Sequence, residues 1–364
     1  MKSNYKALSE LVERVDIRNS DGGIDELIGV SIEKCFIKSV ANTIGTDLTK
    51  YKIIKKNEFA VSLMQVSRDA KIPIACLKDY KIAIMSPAYS IFRVKNEQEV
   101  LPEYLDLWFR RSEFDREAAF IAVGGVRGSM PWEEFTRMEV FIPDYEEQLC
   151  IVNNYKAISD RIALKRQIND NLVAMTEAIY IEWFVNHTPF IVDGVLPSTW
   201  IRGTVGDVIT LQRGHDLPKT QMVTGKYPVM GSTGLIAYHN QFTTKAPVIA
   251  MGRSGNIGNP RFYNFDCWAH NTCLYVKEFR SFPLWAFFLL KHINYDSFVG
   301  GSAVPTLNRN NVHALEIIIP PSDVQADFTH KVKGAIDNIE SNLQEIAQLE
   351  ETQKILLSRM VSNH

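Results

Sequence analysis

The sequence has no apolar run long enough to cross a bilayer. Its longest, PLWAFFLL at residues 283–290, falls far short of the ~20 residues a membrane helix needs. The opening residues, MKSNYKALSELVERVD, hold no apolar stretch of the kind a secretory leader carries, so no leader is expected there. Five cysteines, at 35, 76, 150, 267 and 273, form no CxxC pair and leave one over. That pattern fits reduced thiols in a cytoplasm rather than a disulfide framework. A P-loop, GxGxxG and GxSxG are all missing, and no carboxylate–lysine nuclease cluster stands out. Together these absences argue against a membrane protein, a disulfide-stapled scaffold and the commoner nucleotide-binding or nucleophile-based enzymes.

What is present is enough apolar material for a full core, 46% of 364 residues, over a length that suits about two domains. The chain also repeats itself. RGSMPWEEFTRMEVFIP (residues 127–143) and VPTLNRNNVHALEIIIP (residues 304–320) share one build: a Pro near the start, a polar helix-sized step, then an alternating strand ending at Pro. At an offset of 177, Glu139 matches Glu316, Pro143 matches Pro320, Gln148 matches Gln325, Asp160 matches Asp337 and Leu172 matches Leu349. With a one-residue slip, VGG at Val123 matches VGG at Val299. Helical periodicity could supply the apolar matches by chance. It would not also order a strand, a Pro and a Gly-Gly, so a duplication is read.

Each copy is a globular part followed by a long helix. About forty residues after Pro143 hold neither Gly nor Pro, and the corresponding stretch after Pro321 holds one Gly. Val332, Ile336, Ile339, Leu343, Ile346, Glu350, Gln353, Leu357 and Met360 step by alternating four and three, as a coiled-coil seam does. Ile151, Tyr155, Ile158, Ile162, Leu172 and Ile179 do the same, with Lys165, Asn169 and Thr176 making the middle of that seam polar. Two such helices, about 60 Å each, are expected to pack on each other. In the globular parts FAVSLMQVS, YKIAIMSPAYSIFRV, APVIAMG and NTCLYVKEF read as strands, and EYLDLWFRRSEFDREA and PLWAFFLLKHINYDSF as helices. Strands and helices mix without regular βαβ alternation, so the expected class is α+β. The expected domains are residues 1–143, a helix at 144–187, a second domain at 188–320 and a second helix at 321–364.

Charge separates these parts. Residues 1–143 are neutral overall, each helical segment carries −3, and residues 188–320 carry +4, within a chain total of −2. The total argues weakly against nucleic acid, where affinity comes largely from neutralising phosphates. The basic second domain weakens that objection, and the acidic helices suit protein partners.

Candidate chemistries do not hold up. NPRF at Asn259 is similar to the Asn-Pro-Pro-aromatic motif of amino-methyltransferases, but Arg261 replaces the second Pro and no Gly-rich cofactor loop follows a strand. GRSGNIG at Gly252 reads as a flexible basic loop. In CWAHNTC, Cys267, His270 and Cys273 could be taken for metal ligands, but on one strand the cysteines would share a face and His270 would point to the other. No catalytic residue and no metal site is expected.

A repeated globular part plus long helix, with RGSMPWEEFTRMEVFIPDYEEQ and GGSAVPTLNRNNVHALEIIIPPSDVQ at the junctions, resembles the specificity subunit of type I restriction–modification systems. IGVSIEKCFIKSVANTIGTDLTKYKII, SRDAKIPIA and MSPAYSIFRV are similar to the first recognition domain of such subunits. KYPVMGSTGLIAYHN and VIAMGRSGNIGNPRFY are similar to the second. The resemblance implies two target recognition domains, each reading one half of a split site in double-stranded DNA. It implies that the two helices pack antiparallel, set the distance between the domains and dock two modification subunits. S-adenosylmethionine, ATP and Mg would belong to partner modification and restriction subunits, with no cofactor in this chain and no membrane association. Polar and basic residues in Gly-rich turns are the DNA-binding candidates. In the second domain these are Gln212, Arg213, His215, Lys219, Ser232, Thr233, Arg253, Ser254, Asn256 and Arg261; in the first, Lys34, Ser67, Arg68, Lys71 and Arg127. The competing readings are a scaffold or DNA mimic that binds the same partners, and a DNA methyltransferase in its own right.

Overall fold

A computed structural model describes residues 4–39, 46–64, 66–124, 128–295, 298 and 306–360. The matched VGG at Val299, and part of that at Val123, lie outside the described residues. The chain divides into two compact units: Met1–Lys165 with Gln344–His364, and Arg166–Leu343. Each unit therefore combines a mixed α+β part with one segment from each long helix, Tyr145–Tyr180 and Ser322–Arg359.

The first unit enters as the strand Tyr5–Ala7, turns through the helix Leu8–Leu11 and continues as the strand Val12–Val15. That last strand edges an antiparallel sheet whose spatial order runs on through Ser90–Val94, Phe59–Val61 and Ile74–Cys76. Phe59 and Phe92 stack across its centre at 5.1 Å, and Phe109 meets Phe59 edge-on at 5.7 Å. The expected strand FAVSLMQVS stops at Val61, and its end instead forms the short helix Val66–Asp69. The expected single helix EYLDLWFRRSEFDREA is two, Pro102–Phe109 and Ser112–Ile121. At the break the Arg111 guanidinium lies over Trp108, and its Nε donates to the Leu357 carbonyl at 3.1 Å.

The second unit repeats this entry: strand Ile201–Thr204, helix Val205–Val208, strand Ile209–Arg213. The last joins an antiparallel sheet in the order Ile209–Arg213, Cys273–Phe279, Val248–Gly252, Gly258–Tyr263. A second sheet orders Gly234–His239, Tyr227–Gly231 and Trp268–Ala269, its final pair parallel. The core packs Trp285 and Phe288 of the helix Pro283–Lys291 with Phe328 and Val332.

Both units close in the same way. Glu139–Phe141 pairs antiparallel with Tyr5–Ala7, and Glu316–Ile319 pairs antiparallel with Ile201–Thr204. The long helix follows at once, and a buried glutamine in its first turns ties it down. Gln148 Nε2 donates to the carbonyls of Pro143 and Glu99, at 3.0 and 2.9 Å, and its Oε1 accepts from Leu101 N at 2.9 Å. Gln325 Nε2 donates to the Pro320 carbonyl at 2.9 Å, and its Oε1 accepts from Phe282 N at 3.2 Å. Leu101 and Phe282 precede the first residues of Pro102–Phe109 and Pro283–Lys291, where helical N–H groups have no partner of their own. The 177-residue match of these glutamines in sequence is thus one device built twice.

The long helices run antiparallel within each unit. In the first, Gln353 donates to Ser159 at 2.7 Å, while Glu345 pairs with Lys165 at 2.7 Å and with Arg161. In the second, Asn342 donates to Asn169 at 2.8 Å, and Tyr180 and Phe184 pack on Phe328. The polar stretch read from Lys165, Asn169 and Thr176 is present. Leu343 departs from its expected seam position: it is exposed, and Asn342 takes up the contact with Asn169.

One buried charge stands out in the first unit. Lys34, 5% exposed, bonds Asp115 at 2.7 Å and the Phe109 carbonyl, and Asp115 also accepts from Ile72 N at 3.1 Å. Burial pushes the Lys34 pKa below its ordinary value, against the opposing pull of Asp115.

Two stability predictions follow from these contacts. Gln325→Met keeps the side-chain volume but leaves buried donors and acceptors unpaired, so denaturant unfolding should register a loss of about 1–3 kcal/mol. Lys34→Met strands the Asp115 carboxylate and should cost about 3–5 kcal/mol by the same measurement. An unchanged unfolding midpoint in either variant would remove the corresponding contact from the account.

Candidate nucleic-acid interface

At one edge of the second unit three turns meet. The strand Val248–Gly252 leaves its sheet into residues 253–257 and returns as Gly258–Tyr263. This loop folds back so tightly that a Cβ on Gly252 would sit 1.5 Å from the Asn256 carbonyl oxygen. Gly255 turns it with φ +79°, a left-handed conformation open to glycine at little cost. The second turn, Gly231–Gly234, joins the hairpin strands Tyr227–Gly231 and Gly234–His239. The third is closed by Cys273 N donating to the His270 carbonyl at 2.9 Å.

Thr272, in that third turn, holds the other two. Its carbonyl accepts from Arg253 N at 2.8 Å and Ser254 N at 3.4 Å. Its Oγ1 accepts from Ser232 N at 3.2 Å and lies 3.2 Å from His270 Nδ1. Asn256 Nδ2 donates to the Ser232 carbonyl at 3.2 Å, and the Arg261 guanidinium lies against Gly234. Ser232, Thr233, Arg253, Ser254, Asn256 and Arg261 are thereby gathered on one edge. Among the described residues neither Arg253 nor Arg261 makes a salt bridge to an acidic side chain. Both arginines are half-buried.

Gln212, Arg213 and His215 reach the same turn from the first sheet. His215 N donates to the Ala269 carbonyl at 2.8 Å, and its Nε2 lies 3.3 Å from the Tyr275 hydroxyl. Arg213 pairs loosely with Asp216 at 3.8 Å, and Asn271 donates to the same carboxylate. Gln212 is half-buried opposite Tyr275. Lys219 stands apart, exposed at the start of the short turn Lys219–Gln221.

The first unit's described basic candidates are already matched to acids. Arg68, in the helix Val66–Asp69, bonds Asp69 through Nε at 2.7 Å and through its second terminal nitrogen at 3.1 Å. Lys71 pairs with Glu33 at 3.2 Å. Ser67 packs against Gly128, where a Cβ would lie 2.2 Å from its hydroxyl. Arg127 lies outside the described residues. Lys34 does not join this surface: its charge is spent inside the unit on Asp115.

CWAHNTC is not one strand. Trp268–Ala269 and Cys273–Phe279 belong to different sheets, with the third turn between them. Cys267 and Cys273 are buried, and burial pushes their thiols up to about 12 and about 11, so both stay protonated near neutrality. Burial also lowers the His270 pKa, leaving its imidazole neutral at pH 7. Thr272, the residue that organises the edge, was not among the sequence candidates. A threonine between an asparagine and a cysteine carries no local signal of that role.

Comparison with known proteins agrees with this architecture. Residues 197–351 match the type I restriction modification DNA specificity domain. The type I restriction enzyme MjaIX specificity subunit of Methanocaldococcus jannaschii is 22% identical over 72% of this chain and 68% of its own length. The HindI specificity subunit of Haemophilus influenzae is 30% identical over 26% of this chain and 21% of its own length. The crystal structure of the type I restriction–modification S subunit from M. genitalium superposes with a TM-score of 0.66, covering 97% of this chain and 94% of that one at 14% identity. That structural likeness carries the fold. The chain is similar to type I restriction–modification specificity subunits over most of its length, and residues 197–351 match their DNA specificity domain.

Proposed function

We propose that this chain reads a bipartite double-stranded DNA site, one half with each unit, and that its paired helices dock two modification subunits. The observation that carries this reading is the edge organised by Thr272. Three turns and the adjoining strand there present two arginines, two serines, a threonine and an asparagine together on a rigid sheet framework. Such side chains hydrogen-bond base edges and phosphates, and rigid placement is what converts them from general affinity into sequence preference. The duplicated build supports two readers and two docked subunits in place of one. The modification subunits would carry S-adenosylmethionine and methylate adenine after flipping it out of the duplex. Restriction subunits, using ATP and Mg, would complete the assembly. The acidic helical segments and the basic second domain divide those tasks by charge.

Arg253 is proposed to read a base and not only to touch phosphate. In the assembled complex, Arg253→Ala should cost about 1–3 kcal/mol of discrimination, confined to the half-site read by the second unit. Equal weakening on every sequence, measured by competition binding against scrambled duplexes, would make it a phosphate contact.

The helices are proposed to set the spacing. Four residues inserted between Ala163 and Leu164 add about 6 Å and rotate the downstream face by only about 40°, which paired helices absorb as a stutter. Both half-sites should persist with one or two more unspecified base pairs between them, at about 3.4 Å each. Two inserted residues rotate the face by about 200° and should abolish assembly. Sequencing of methylated sites reads the result, and an unchanged gap would remove the helices as the ruler.

A further inference from the structure

The edge organised by Thr272 also holds an apolar side chain that the hydrogen-bonding inventory passes over. Ile236 lies in the strand Gly234–His239, and the pairing register breaks beside it. Val229 faces Ala237 and Met230 faces Leu235, which leaves Ile236 as the extra residue of a β-bulge. A bulge re-aims a side chain out of the regular alternation and is common beside functional sites. Here it lays Ile236 across Gly231. A Cβ at Gly231 would fall 2.5 Å from Ile236 Cδ1 and 3.4 Å from Thr272 Oγ1, so the isoleucine and the threonine flank the same glycine. Ile236 is nevertheless 41% exposed.

A half-exposed isoleucine beside Thr272, at the edge that gathers the polar residues, adds nothing to phosphate affinity. It does not project as a wedge between base pairs would, because it rests on the Gly231 backbone. What it offers is a partly exposed apolar side chain beside Thr272, the residue that ties the hydrogen-bonding turns together. In the major groove the one apolar feature of a base edge is the thymine C5 methyl. We infer that Ile236 is a specificity-determining residue that contacts a thymine methyl in the half-site read by the second unit. This inference rests on the DNA-reading assignment above and names a chemical feature that assignment leaves open.

The test replaces each thymine of the mapped site, one at a time, with deoxyuridine, which keeps the base pairing and removes only the methyl. Binding is measured with the assembled complex of this chain and its modification subunit. One thymine in the second half-site should show a loss of about four-fold, the value of one methyl removed from water. Ile236→Ala should weaken binding to the natural site and erase the difference between thymine and deoxyuridine at that position. Its thermal melting should match that of the parent complex, since the side chain is partly solvated. Three results overturn the inference while leaving DNA reading intact: no thymine in that half-site, no deoxyuridine sensitivity there, or a sensitivity that persists in Ile236→Ala. A complex with no sequence preference for any duplex overturns the DNA-reading assignment, and this inference with it.

Discussion

Each half of the chain depends on one constraint: a long helix must leave its globular part at a fixed angle, and a buried glutamine fixes it. Gln148 and Gln325 each join three backbone segments, namely the closing strand's proline, the helix's own first turns and the start of a core helix. The amide suits this task because it donates and accepts at once, so both orphan groups are satisfied by one side chain. Without it, a buried N–H at a helix start and a buried proline carbonyl would each lack a partner. The closing strands, the entry strands and the helix directions all follow from this junction. It is a feature that the two halves hold in common, together with their entry and closing strands.

The halves differ in how they present positive charge. In the first unit Arg68 and Lys71 already bond Asp69 and Glu33, whereas among the described residues Arg253 and Arg261 of the second make no salt bridge; Arg253 N donates to the Thr272 carbonyl and the Arg261 guanidinium lies against Gly234. Exposed pairs contribute only about 0–1 kcal/mol, so phosphates can displace those carboxylates without large cost. Lys34 is a different case. Its pair with Asp115 is enclosed, and separating it would leave two charges in the core. Exposure, more than charge, decides which cations are available to a ligand.

Much of this architecture was legible in the sequence. The 177-residue offset already paired Gln148 with Gln325, and four–three stepping marked both long helices with their polar middle. Strand reading located Val248–Gly252 and Cys273–Phe279. What escaped was set by contacts distant in the chain. Lys34 sits in a polar stretch and reads as surface, but Asp115, 81 residues on, draws it inside. Thr272 gains its role only because Ser232 and Arg253 are brought to it by sheet order. Ile236 looks like an ordinary strand residue until the register break beside it is seen. The turn in CWAHNTC was hidden because two short strands of different sheets read as one run.

The central claim is that two units read two separate halves of one site. It is tested most directly by mapping methylated adenines genome-wide in cells that carry this chain with its modification subunit. The account predicts a motif of two short specified blocks separated by a fixed number of unspecified base pairs, with each block methylated. A single uninterrupted motif, or methylation with no sequence preference, would contradict it.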